Sequence, residues 1–127
     1  MNVLVIALDT ASPMALRDAD VLVVAPALNS RLRHWLSDED EARRKAEKRA
    51  NACVEQLERS GAHADGRIGD ADPLQAIADA LPTFAADEIV IAAHPEPSHG
   101  LADELAARAR KRFALPVFRA GPASRSK

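Results

Sequence analysis

The segments Val3-Leu4-Val5-Ile6-Ala7-Leu8 and Val21-Leu22-Val23-Val24-Ala25 are apolar at every position. A strand with one wet face alternates apolar and polar residues, so a strand apolar throughout must be covered on both faces. Helices must then pack on both sides of the sheet, and sheets built this way are parallel. Ile89-Val90-Ile91-Ala92-Ala93 is a third such run. Pro116-Val117-Phe118 reads as a last short strand, and the more polar stretch from His63 to Ile68 as a weak strand near an edge.

Helical patterns lie between these runs. Ser37-Asp38-Glu39-Asp40 offers a cap and an acidic first turn to a long helix with an apolar stripe at Ala46, Ala50, Cys53, Val54 and Leu57. Glu39–Arg43, Asp40–Arg44 and Glu41–Lys45 are spaced as i,i+4 ion pairs on its wet face, and Gly61 stands at the C′ position. In the next helix Asp72 can cap, Pro73 suits the first position and Gln75 completes a capping box. Its stripe reads Leu74, Ile77, Ala78 and Leu81, and Pro82 ends it. Ser98 caps a last helix reaching Phe113, with acids early and Arg108, Arg110, Lys111 and Arg112 late.

Strands alternating with helices predict a doubly wound α/β domain over residues 1–120, with strand order 3-2-1-4-5 and a flexible C-terminal tail at 121–127. The first crossover is shortened. Only Thr10 to Ala19 separate Asp9 from Asp20, about the shortest connection that a parallel pair allows, and the alternative is an antiparallel hairpin of the first two strands. With 17 basic and 19 acidic residues there is no electrostatic case for nucleic acid or an anionic membrane. The lone Cys53 excludes an internal disulfide and suits a reducing, cytoplasmic setting; the apolar start is too short to span a bilayer.

Several features together resemble the universal stress protein family across Val3 to Phe118. They are Leu8-Asp9-Thr10-Ala11-Ser12 at the end of strand one, Val23-Val24-Ala25-Pro26 in strand two, the turn from Gly69 to Pro73, and Ala86 to His94. The resemblance implies a flavodoxin-like sheet of the adenine nucleotide alpha hydrolase type, a bacterial, stress-associated role, and a homodimer paired through the last strand at Val117 and Phe118. Ligand contacts, if any, would fall on Ala7, Leu8, Asp9, Thr10, Pro26, Ala27, His94, Ser98 and His99. Nucleotide-binding members carry a glycine-rich phosphate loop after the fourth strand. Here that stretch is Pro95-Glu96-Pro97-Ser98-His99-Gly100, with one glycine and two prolines that remove backbone donors. Glu96 and Asp103 add repulsive charge. ATP and AMP are therefore disfavoured, and no cofactor is expected.

Asp9 lies where doubly wound sheets bind ligands, and it can hold an adenine or ribose group or simply cap the turn at Ser12. His94, Glu96 and His99 have metal-ligand chemistry but loop spacing and no fourth ligand, which favours surface histidines over a metal. Arg31, Arg33, His34 and Trp35 suit an anionic ligand less well than a solvated loop anchored by Trp35. Cys53, among alanines, reads as a core thiol, and no serine has the strand–turn–helix context of a nucleophile elbow. The reading is a binding or regulatory module rather than an enzyme. The alternatives are a nucleotide-binding hydrolase or switch of the same superfamily, and a structural oligomer joined over an under-covered first crossover.

Overall fold

The computed structural model describes residues 1–8, 16–28, 39–93 and 99–120. Its elements follow in the order β1 (Asn2–Ala7), β2 (Asp20–Pro26), α1 (Glu39–Arg59), β3 (His63–Gly69), α2 (Pro73–Ala80), β4 (Glu88–Ala92), α3 (His99–Arg112) and β5 (Val117–Ala120). The five strands form one sheet in the order β3-β2-β1-β4-β5, and every pairing is parallel. β1 runs parallel to β2 with Asn2 opposite Asp20 and Ile6 opposite Val24, which excludes the hairpin. Most of the crossover between them, residues 9–15, lies outside the described residues, as do the Ser37–Asp38 and Ser98 caps and the tail from 121.

Period-two geometry divides the apolar runs between two cores. Leu4, Ile6, Leu22, Val24, Ile89, Ile91 and Val117 meet α2 and α3 on one face. Val3, Val5, Ala7, Val21, Val23, Ala25, Val90 and Ala92 lie on the other, where α1 brings Ala46, Ala50, Cys53 and Leu57. α1 packs mainly on β3 and β2 and only lightly on β1. Its small stripe residues allow a close approach, and Val54 is half-buried against the same core. Burial raises the Cys53 thiol to about 11, so almost no thiolate forms at neutral pH.

The caps and breaks follow the local chemistry. Gly61 takes φ +101°, with Gly61 N–H on Glu58 O at 3.1 Å and Ala62 N–H on Leu57 O at 3.0 Å, a Schellman closure of α1. Glu41 pairs with Lys45 at 3.5 Å, and Glu55 with Arg59 at 3.7 Å. Among the described residues Asp40 and Arg44 form no ion pair, and the Glu39 side chain is not described. Asp72 caps α2 by accepting from Leu74 N–H at 3.0 Å.

Gln75 does not complete a capping box. The Asp72 N–H that it would need is donated to Asp70 Oδ1 at 2.8 Å, and Gln75 instead donates to Asp79 Oδ1 at 2.8 Å. The α2 stripe is also rotated from the expected one. Leu74 and Ile77 are buried with Ala76 and Ala80, whereas Ala78 and Leu81 are half-buried. The cause is the approach at Gly69, where a Cβ would lie 2.6 Å from Val24 Cγ1 and 2.9 Å from Ala76 Cβ. Only a small face of α2 fits so near the sheet.

Ile77 and Ile91 are both fully buried in the α2–α3 core. Truncating either to alanine removes buried methyl and methylene groups and leaves a void, so each is expected to cost about 2–5 kcal/mol in urea or thermal unfolding. A midpoint unmoved by Ile91→Ala would contradict this placement of β4.

Candidate functional site

In a doubly wound sheet, ligands bind beyond the carboxyl ends of the strands, where the strand order reverses. Here the reversal falls between β1, from which the order runs through β2 to β3, and β4, which leads to β5. Ala7 sits opposite Ala92 at that point, and Leu8 N–H extends the ladder by donating to Ala92 O at 2.9 Å. One strand over, Pro26 is buried at the end of β2, and Ala27 N–H donates to Gly69 O at 3.1 Å.

Ala7, Leu8, Pro26 and Ala27 are thus brought together along adjacent strand ends. Ala7 and Pro26 are buried there, Leu8 and Ala27 are half-buried, and the amides of Leu8 and Ala27 and the carbonyls of Ala7 and Pro26 are bonded within the chain, so these four residues supply the frame of the edge. Asp9, Thr10, His94 and Ser98 lie outside the described residues, as do Arg31, Arg33, His34, Trp35, Pro95, Glu96 and Pro97. His99 is the first residue of α3, and its side chain is not described. Among the described residues no group of His, Cys, Asp and Glu could hold a metal ion, and no helix is long and apolar enough to cross a membrane.

The structure adds Arg49, which sequence reasoning passed over. Arg49, from α1, is half-buried and reaches the carboxyl edge. Its Nε donates to Ala7 O at 3.3 Å, and its Nη2 donates to Pro26 O. One guanidinium therefore joins the last carbonyls of β1 and β2, a use suited to its fork of fixed N–H donors. The signal was present in the spacing. Arg49 lies three residues after Ala46 and four before Cys53, on the border of the buried stripe, where a long side chain can bury its stem and extend its head past the strand ends.

Asp103 proves to be no bare negative charge near the start of α3, because it forms an ion pair with Arg119 of β5. Its contribution to repelling a phosphate is correspondingly reduced. On the same strand, Val117 and Phe118 have different environments. Val117 is buried in the α2–α3 core, whereas Phe118 is 49% exposed. Only Phe118 can present its side chain to a partner, because alternate β5 residues point to opposite faces.

No family model matches the chain, and no curated protein matches it.

Arg49→Met keeps the buried stem but removes the donors. It is expected to lower unfolding stability by about 1–3 kcal/mol, the range for lost charge-assisted hydrogen bonds, and to speed amide exchange at Leu8 and Ala27. Unchanged exchange at both amides would show that Arg49 does not hold these strand ends.

Proposed function

We propose that this chain is a universal stress protein-like binding or regulatory module of the cytosol, acting as a homodimer and holding adenine nucleotide weakly or not at all. The observation that carries the reading is the carboxyl edge of the 3-2-1-4-5 sheet. There Ala7, Leu8, Pro26 and Ala27 form the adjoining strand ends at the reversal point, where doubly wound sheets bind ligands.

The weak nucleotide binding follows from the sequence after β4. A phosphate loop works by pointing backbone N–H groups at the anion, and Pro95 and Pro97 each lack that donor. ATP is therefore expected to bind more weakly than about 1 mM, a ~4 kcal/mol interaction, in calorimetry with magnesium present. Micromolar affinity would overturn this reading in favour of a nucleotide-binding hydrolase or switch.

Support for the homodimer comes from β5, which ends the sheet and carries the half-exposed Phe118. An edge strand has main-chain groups that a second copy can satisfy. Phe118→Asp is expected to yield a folded monomer in sedimentation velocity, where the wild type sediments as a dimer. A wild type that stays monomeric at high concentration would refute the dimer. A dimer indifferent to Phe118→Asp would move the interface to the first crossover.

A further inference from the structure

The outer edge of β5 is already partly occupied from within the chain. In a parallel ladder, alternate residues direct their main-chain groups toward the same neighbour. Pro116 O accepts from Ile89 N–H at 2.9 Å and Ala120 O accepts from Ala93 N–H at 3.1 Å, so carbonyls at even positions face β4. Those of Val117 and Arg119 face the other way, where no described strand pairs with β5. The Val117 carbonyl is not left open. Arg110 of α3 reaches across the edge and donates to it from Nε at 3.2 Å and from Nη2 at 2.8 Å.

We propose that Arg110 holds the β5 edge partly closed and so sets how tightly two copies of this chain pair along it. The inference rests on the homodimer reading for its partner, while the brake itself comes from the Arg110 bonds. With Val117 O occupied, the outward main-chain groups left to a partner strand are the N–H of Val117 and both groups of Arg119. A second copy is the matching occupant. In an antiparallel pair centred on Arg119, each Arg119 exchanges two hydrogen bonds with its counterpart, and each Phe118 lies opposite the partner's Ala120 on the face away from α3. The two Arg119 side chains can approach on the opposite, α3 face because each is already neutralised by its own Asp103. Withdrawing Arg110 opens the Val117 carbonyl on each copy, and a pair centred on Phe118 can then use it, each Val117 exchanging two hydrogen bonds with the partner's Arg119, two more per dimer than the pair centred on Arg119.

Arg110→Met keeps the stem and removes the donors. By sedimentation equilibrium its dimer Kd is expected to fall about tenfold below that of the wild type, the scale of two additional net hydrogen bonds per dimer. Arg108→Met, which removes an exposed charge from the same helix, is expected to leave Kd unchanged. A Kd for Arg110→Met that is equal to or weaker than the wild-type value overturns the proposal, as does an equal gain in Arg108→Met. If Arg110→Met is too unstable to measure, amide exchange on the wild type decides. Protection at Arg119 N–H that rises with protein concentration supports pairing at this register, and its absence in a dimeric sample overturns it. The dimer reading fails separately. A wild type that is monomeric throughout removes the dimer, while Arg110→Met that then associates sustains the brake and Arg110→Met that stays monomeric removes both.

Discussion

Desolvation of the central strand on both faces is the constraint on which the structure depends. Val3, Leu4, Val5, Ile6 and Ala7 are all fully buried. A strand in that state needs hydrogen-bonded neighbours on both edges and helices on both faces, because an unpaired main-chain group in such a setting costs as much as a lost hydrogen bond. β2 and β4 supply the edges, α2 and α3 one face, and α1 the other. The carboxyl edge of β1 becomes the reversal point as a consequence, so the position of the candidate site is set by the same apolar run that sets the fold.

The features legible in the sequence were those decided by local rules. Uninterrupted apolar runs marked β1, β2 and β4, and the φ requirement at Gly61 and the Asp72–Pro73 start marked where helices stop and begin. Local rules failed where two local partners competed or where tertiary distance intervened. Asp70 took the N–H that Gln75 was expected to bond, a competition between two equally local acceptors that spacing does not resolve. The face of α2 turned toward its alanines because Gly69 lets helix and strand come close, which the helix's own pattern does not contain. Within the candidate site, the backbone frame could be read from the strand ends, but the arginines could not. Arg49 and Arg110 each look like a solvated helix charge until the carbonyls of Ala7, Pro26 and Val117 are placed beside them.

Those two arginines do the same work at different borders of one sheet. A carbonyl at a strand end or on an outer edge has no neighbour in the ladder to bond it. A guanidinium can meet it while its aliphatic stem covers adjoining apolar surface, and a lysine offers no comparable fork. Both bonds tie a helix to a strand that is distant in sequence for Arg49 and close for Arg110. They thereby couple helix position to the exposure of main-chain groups. At the carboxyl edge that coupling fixes the spacing of β1 and β2 below the candidate site, and at β5 it limits what another strand can reach.

The two edges of the sheet are defended differently, which bears on which of them can associate. β3 is seven residues long and fully paired to β2, with His63, Asp65 and Arg67 exposed along it. Charged side chains in such an edge make strand addition unfavourable, since a partner would have to desolvate them. β5 has only four residues, and its one basic side chain, Arg119, is held against Asp103 rather than presented to solvent alone. Its protection is the pair of hydrogen bonds from Arg110 to one carbonyl, which a partner strand can replace in kind. Desolvating a charge has no such replacement available at β3. The β5 edge is therefore the less costly of the two for a second strand to reach.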